Sequence, residues 1–512
     1  MNLDADALDL TGARVVVTGA GTTGTSVLAA LDALGATVTL VDQRFASGAP
    51  VGAPAGVATA GPDDVDLSAV DLVVTSPGFR PDNPLLVTAA AAGVPVWGDV
   101  ELAWRADASE LFGPSRTWLV ITGTNGKTTT TSMTEAIVEA AGLATAACGN
   151  IGLPVVDALR VEPRADVLCV ELSSFQLHWA PSVRPRAGVV LNIADDHLDW
   201  HGSFEAYTAA KRQGLAGEIG VVGADDAVAG ELQAGPEARR VGFTLAEPEG
   251  GQLGVLGDLE SGILADRAFG DDGRPAYADA PAVELIEAAR VRPAGPSGVS
   301  DALAAAALTR AIGVPADAVR RGLAGFSPAA HRGQVVAEID GVRFVDDSKA
   351  TNPHAAQAAI DGCRRPVLIA GGLLKGAPVD ELISRSAERL AGVVAIGADR
   401  GVILEAIARH APQVPTVTVF TGDDGAVNTQ SADRTDKHDV PAGLGSADAV
   451  MARAVSAAWE LARTASRRAG EQVDAVLLAP AAASLDMFAN YGARGDSFAA
   501  AAANLSGDPA IG

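Results

Sequence analysis

Cysteine is nearly missing from this chain. Cys148, Cys169 and Cys363 are the only three, far apart and without a C-x-x-C spacing. That excludes a disulfide framework and fits buried, reduced thiols of a cytoplasmic protein. Positive charge is also short. There are 38 Lys and Arg against 63 Asp and Glu, a formal net charge of -25. A protein that wraps a polyanion needs clustered Lys and Arg, so nucleic acid is excluded as a partner. A small phosphorylated ligand stays open, because one local loop binds it whatever the global charge. Long apolar runs are absent: the longest, LLVTAAAAGVPVWG, is interrupted by Gly and Pro and falls short of the ~18–20 residues that cross a bilayer. No membrane association is expected, and the acidic start MNLDADALDL does not read as a signal peptide. Aromatic residues make up only 4% of the chain, which suits alternating strands and small-residue helices.

What is present is ordinary globular material: 512 residues, 48% hydrophobic and 20% charged. That length predicts about three domains. The pattern strand–turn–helix repeats through RVVVTG, TVTLVD and DLVVTS and breaks at LFGPSRTW. A second set follows in TWLVITG, DVLCVEL and AGVVLNI, with a helix after Lys127, another around SFEAYTAAK, and DALAAAALTRAIG closing it. The stretch from Leu245 to Ser300 is richer in Gly, Pro and Asp and is not assigned. A third set holds VVAEIDGVRFVDDS, PVLIAGG, GVVAIGA and AVLLAP as strands, with a long helix SADAVMARAVSAAWELARTAS. Residues 421–445, polar and glycine-rich, read as a mobile surface insertion. The expected class is α/β with parallel sheets, with domains over residues 1–112, 113–328 and 329–512.

Two glycine loops carry the first chemistry. Gly19, Gly21 and Gly24 in RVVVTGAGTTGTS fit G-x-G-x-x-G, the dinucleotide fingerprint, and Asp42 ends the next strand where a dehydrogenase holds a ribose. In ITGTNGKTTTTS, residues Gly123, Thr124, Asn125, Gly126, Lys127 and Thr128 lie between an apolar strand and a helix. The glycines let N–H groups turn onto phosphate oxygens, Lys127 reaches the terminal phosphates, and the Thr128 hydroxyl meets Mg²⁺. The strict phosphate-loop pattern wants Gly at position 121, where this chain has Ile. Glu171, at the end of a strand, is a candidate Mg²⁺ ligand or, equally, a capping carboxylate. Asp195, Asp196, His197, Asp199 and His201 crowd the same sheet edge after Asn192, a grouping that suits metal or phosphate chemistry. Lys211 taken alone reads as a surface lysine. HRGQ, DDSKATN and GGLLKG decorate further strand ends, and Ser484 is expected at the start of a helix, where N–H groups can hold a carboxylate. Each of these also reads as an ordinary cap or turn.

Taken together, TGTNGKTT, GNIG, ELSSFQL, N-x-x-x-D-H-x-D, DDSKATN, GG-x-x-KG and SLDMF stand in an order that resembles the Mur ligases. ELSSFQL and APAAASLDMF are most similar to the D-glutamate-adding members. The resemblance covers nearly the whole chain outside 245–300 and 421–445. It implies a Rossmann-like UDP-binding domain, a phosphate-loop central ATPase domain and a C-terminal Rossmann-like α/β domain. It also implies ATP and two Mg²⁺ ions, UDP-N-acetylmuramoyl-L-alanine and D-glutamate as substrates, a cytoplasmic monomer, and amide formation through an acyl phosphate. The first glycine loop then holds the UDP diphosphate rather than NAD. Thr22, Thr23, Asp42, Arg44, Ser76, Pro77, Gly78, Asn150 and Gln176 match UDP-substrate contacts. Gly123 to Thr129 (with Thr129 included), Asp301, Arg332 and Asp347 match ATP contacts. Thr351, Lys375, Ser484, Leu485 and Tyr491 match D-glutamate contacts. Lys127, His197 and Lys211 match catalytic positions. Thr128, Glu171, His197 and a carbamylated Lys211 match the metal site. Three residues depart from the pattern: Asp301 stands for the usual Asn, Tyr491 for Phe, and Ala479 for Ser. Two rival readings of the motifs are an NAD-dependent oxidoreductase, which leaves the ATP loop idle, and a phosphate-loop switch, which has no use for Lys375 or Ser484. A third is a sister ligase with a different substrate.

Overall fold

Short valine-rich runs that end in glycine or a polar residue become strands of three separate sheets, with helices filling the crossovers. The computed structural model describes residues 2–4, 7–46, 54, 56–270, 273–277, 280–422, 424–431, 434–440, 445–469 and 472–506. The first sheet contains β1 (Arg14–Thr18), β2 (Thr37–Val41), β3 (Ala58–Ala60), β4 (Leu72–Thr75) and β5 (Val96–Gly98). Its order is β3-β2-β1-β4-β5 and every pairing is parallel. All four residues of β4 are buried, as a parallel strand covered on both faces requires. The order reverses between β1 and β4, so a crevice opens at their carboxyl ends.

The second sheet contains β6 (Thr117–Thr122), β7 (Thr145–Gly149), β8 (Val167–Glu171), β9 (Ala187–Val190), β10 (Ile219–Gly223), β11 (Arg239–Phe243), β12 (Gln252–Leu256), β13 (Ile263–Asp266) and β14 (Val283–Glu287). Its order is β14-β13-β12-β11-β10-β9-β6-β8-β7. The pairs are parallel except β12–β13 and β13–β14. The unassigned stretch from Leu245 to Ser300 thus supplies the last three strands. Asp266 of β13 meets Arg310 at 2.9 Å with both side chains fully buried, which ties this edge to the helix Pro296–Arg310. Losing one partner of such a pair leaves an uncompensated buried charge.

The third sheet contains β15 (Gln334–Ile339), β16 (Val342–Asp346), β17 (Pro366–Gly371), β18 (Gly392–Ile396), β19 (Thr416–Thr421), β20 (Val427–Ser431), β21 (Arg434–His438) and β22 (Ala475–Leu478). Its order is β15-β16-β22-β17-β18-β19-β20-β21. The insertion expected to be mobile instead contributes β20 and β21, an antiparallel extension of the sheet. Val427, Asn428 and Thr429 are buried there, and the helix Ser446–Ala469 packs on β20. Residues 423, 432–433 and 441–444 of that stretch lie outside the described residues.

Two compact units form: Met1–Val291 with Ser300–Phe326, and Arg292–Val299 with Ser327–Gly512. Within the first unit one core runs from Val15 and Leu40 through Trp97 and Leu102 to Trp118 and Val170. All three thiols are buried, and burial pushes Cys169 and Cys363 up to about 12. No described helix is long and apolar enough to cross a membrane.

Candidate functional site

The phosphate loop turns because two glycines leave the allowed region for other residues. Gly126 caps the helix Lys127–Ala140 at φ +84, and a Cβ there would lie 2.4 Å from Asp301 Oδ1. Asn192, after β9, braces the loop from the side. Its Oδ1 accepts from Asn125 N at 2.9 Å, and its backbone O accepts from Thr124 N at 2.9 Å. Lys127 Nζ donates to Gly123 O at 2.9 Å and Thr124 O at 2.8 Å. Thr128 and Thr129 begin the helix half-buried. Asp301 accepts from Thr130 Oγ1 at 3.1 Å, directly beneath the loop.

Lys211 is the departure from its surface reading. It is 2% exposed, and its Nζ donates to Gly123 O at 2.7 Å. Tyr207, one helical turn earlier, places its ring 4.8 Å from that nitrogen and its hydroxyl 2.9 Å from Thr124 Oγ1. Burial, reinforced by the charge of Lys127, holds the amine well below the usual lysine range, with Asp196 and Glu171 opposing. A lysine in such a place readily sheds its proton.

Glu171 ends β8 fully buried. Asn150 Nδ2 donates to its Oε1 at 2.8 Å, and Oε2 makes no hydrogen bond. A buried carboxylate oxygen without a donor costs free energy unless a cation meets it, so this donor set fits a hard metal ion. Among the described residues no group of three or more His, Cys, Asp or Glu side chains surrounds a common point. An ion here would complete its shell with Thr128, phosphate oxygens and water, as Mg²⁺ does. His197 is exposed at φ +53, caps the short helix Leu198–His201, and lies 4.7 Å from the Phe175 ring. Gln176 is mostly engaged locally: it closes a capping box with Ser173.

At the first sheet, Thr22 and Thr23 open the helix Thr22–Ala33. Gly24 is required where it stands, since a Cβ would meet Gly19 O at 1.9 Å. Asp42 accepts from Ala20 N at 2.9 Å and binds Arg44 through two bonds of 3.0 Å. The Arg44 guanidinium holds the Asp42 carboxyl well below the usual carboxylate range. Ser76 Oγ donates to Thr18 O at 2.8 Å. Ser76 and Gly78 line an open cavity of about 570 Å³; Pro77 lies between them in the chain.

In the second unit, β16 delivers Asp346 and Asp347. Asp346 is fully buried and binds His331 Nδ1 at 2.7 Å. Desolvation and the neighbouring Asp346 push Asp347 up to about 7, with Arg332 opposing. Leu373 and Ala483 exchange backbone bonds of 2.9 Å, which brings the Lys375 loop beside Ser484. Lys375 is exposed at φ +54. Ser484 does not start a helix: it is buried at the head of a turn, and the helix begins seven residues later at Tyr491. Its backbone O instead accepts from Met487 N and Phe488 N. Leu485 is exposed, and Lys349 Nζ stands 4.0 Å from the Tyr491 ring. Thr351 N donates to Lys349 O at 2.8 Å. Ala479 is buried at the end of β22.

Sequence reasoning missed Arg494. It is 1% exposed, donates to Ser348 Oγ and O and to Ala482 O at 2.8–3.0 Å, and so joins DDSKATN to APAAAS. Burial lowers it to about 10. The sequence offered little signal beyond a lone arginine ahead of the alanine run in the helix Tyr491–Ser506; beside it, a Cβ at Gly495 would lie 2.1 Å from His331 Nδ1.

Three family models match in chain order: the MurD-like N-terminal domain over residues 13–98, the Mur ligase middle domain over 121–251, and the Mur ligase glutamate ligase domain over 331–482. A UDP-N-acetylmuramoylalanine--D-glutamate ligase of Rhodococcus jostii is 54% identical, covering 97% of this chain and 96% of its own. The protein of the same name from Mycolicibacterium smegmatis is 53% identical over 96% of each chain. In fold, the chain is similar to a UDP-N-acetylmuramoylalanyl-D-glutamyl-2,6-diaminopimelate--D-alanyl-D-alanyl ligase of Acinetobacter baumannii, with a TM-score of 0.53 at 16% identity over 96% of this chain and 93% of that one. With a phosphate loop, an orphaned acid and a buried lysine on one sheet edge, and with matches that run almost from end to end, the chain belongs to the Mur ligase family.

Proposed function

We propose that this chain is the ATP-dependent ligase that joins D-glutamate to UDP-N-acetylmuramoyl-L-alanine in peptidoglycan precursor synthesis, with domains over residues 1–112, 113–328 and 329–512. The observation that carries the reading is identity of about half the residues, over nearly full length, with proteins bearing that name. The chemistry must make a carboxylate into an electrophile. The substrate carboxylate oxygen attacks the γ-phosphorus of ATP, the bond to the bridging oxygen breaks, and ADP leaves with the electron pair. The D-glutamate amine then attacks the acyl carbon, phosphate departs, and the amine proton passes to solvent or a nearby base.

The main difficulty is bringing two anions together, so positioning and charge neutralisation dominate. Lys127 turns from the loop carbonyls to the β- and γ-phosphates, and the N–H groups of Gly123 to Thr129 cradle them. Asp301, Arg332 and Asp347 contact the rest of ATP. One Mg²⁺ would be held by Thr128 and Glu171 and a second by His197, and the pair would supply further charge neutralisation. Lys211, as a carbamate, gives that cluster an anion in place of a cation; its deprotonated tendency suits it, because only a neutral amine adds to CO₂. Thr22, Thr23, Asp42, Arg44, Ser76, Pro77, Gly78, Asn150 and Gln176 hold the UDP-linked substrate. Thr351, Lys375, Ser484, Leu485 and Tyr491 hold D-glutamate.

The deciding experiment follows ADP and amide formation with UDP-N-acetylmuramoyl-L-alanine, comparing D-glutamate, L-glutamate and other amino acids. ADP release in step with a new amide only with D-glutamate is expected. Preference for another amino acid would assign the chain to a sister reaction, and no ADP with any would overturn the ligase reading.

A further inference from the structure

The cavity beside the first glycine loop carries a cation that no motif contains. Its wall is the segment from Ser76 to Pro84, and Arg80 lies in it. The wall abuts the fingerprint directly: a Cβ on Gly19 would lie 3.0 Å from both the Ser76 hydroxyl and the Phe79 ring. From behind, two of the six tryptophans in the chain pin it. Trp179 Nε1 donates to Phe79 O at 3.3 Å, and Trp200 Nε1 donates to Gly78 O at 3.4 Å. Two consecutive carbonyls are thereby tied to loops of the second sheet, one of which bears His197 three residues before Trp200. The rim has its shape before any ligand arrives, which is the condition for binding without an ordering cost.

Among the described residues the Arg80 side chain is held only by Asp82, two residues on, through bonds of 3.1 and 3.2 Å, with half of the arginine side chain and most of the aspartate exposed. Exposed pairs of this kind are among the weakest interactions in proteins. A phosphate or carboxylate in the cavity offers the same guanidinium a two-point, charge-assisted bond. Asp199 stands near enough to favour the charged form further.

We propose that Arg80 leaves Asp82 to bind an anionic group of the UDP-linked substrate, either its diphosphate or its terminal carboxylate, in the cavity between the first glycine loop and the Trp179–Trp200 clamp. This rests on the reading that the substrate is a UDP-sugar. Calorimetric titration of the full chain with UDP and with UDP-N-acetylmuramoyl-L-alanine tests it, in wild type, Arg80→Ala and Arg80→Lys. The alanine variant is expected to lose at least fivefold in affinity for the full substrate, with KM for ATP unchanged, and lysine to recover only part. A parallel loss for UDP identifies the diphosphate as partner, and an unchanged UDP affinity identifies the carboxylate. A loss below fivefold for the full substrate overturns the proposal. Wild-type protein that binds neither compound would remove the underlying reading instead.

Discussion

Replacing Lys127 with alanine separates what this lysine does for the fold from what it does for the reaction. In the structure its ammonium donates to Gly123 O and Thr124 O. Bonds from a charged donor are worth about 1.5–3 kcal/mol each when the group left behind is buried. Here the buried Gly123 O keeps a second donor, Lys211 at 2.7 Å, and Thr124 is only half-buried. Water can therefore replace much of what is lost, and the cost in stability is expected to stay near ~1 kcal/mol. In the proposed reaction the same ammonium would face charge that develops on the transferred phosphoryl group. Removing one such preorganised donor costs roughly 10²–10³-fold in rate, and a full positive charge on a phosphate exceeds a neutral donor. The expected result is a protein that melts within a few degrees of wild type and releases ADP at least about a thousand times more slowly. Coupled ADP detection and thermal melting on the same preparation check both. A variant that retains more than a tenth of the wild-type rate would refute the assignment of this loop to phosphate.

Lys211→Ala is expected to be inactive and to regain part of its turnover with added short carboxylates, which can stand where the carbamate would; an absence of rescue counts against an anion at that position. Lys375→Ala should raise KM for D-glutamate far more than KM for ATP, and steady-state kinetics with each varied in turn would expose equal effects. Asp99 is fully buried, and burial raises it from 3.8 to about 7. Its proton is held more tightly in the folded state, so its contribution is complete below about pH 4 and lost as pH rises through 7, with an upper bound on the order of 4 kcal/mol. Asp99→Asn should flatten the fall in apparent urea midpoint between pH 5 and pH 8, and an unchanged slope would show that another group titrates there.

Much of the fold was legible because the strands are buried on both faces and end in glycine or polar residues. RVVVTG, TWLVITG and PVLIAGG need only the rule that a short apolar run closed by a turn is a central strand. The stretch 245–300 was not legible, because β13 and β14 are antiparallel additions whose partners, not their composition, define them. In residues 421–445 the signal was hidden differently: among the described residues only Val427, Asn428 and Thr429 are buried, and two of those three are polar. Ser484 illustrates a turn that reads as a helix start, since a serine shortly before an apolar stretch has the pattern of a cap. The strand, glycine turn and helix around Gly123 to Lys127 were legible despite Ile121, because glycine spacing and the following helix define them. The burial of Lys211 was not evident, because its neighbours in sequence on the helix Phe204–Arg212 are mostly exposed or half-buried, while Gly123, which its amine bonds, is distant in sequence. Arg494 escaped for the same reason: a buried arginine is defined by the carbonyls it finds, and these come from distant segments.

Among the described residues, the strand β21 ends its sheet with a neighbour on one side only. Deeper in that sheet lie β17, β18 and β22, fully buried runs of Val, Leu, Ile and Ala of the kind that would feed fibre growth if another molecule could continue the ladder. The rim it presents carries Arg434, Asp436 and Lys437 in turn. A foreign strand docking there would have to strip water from three alternating charges, so this edge is blunted by the side chains it carries.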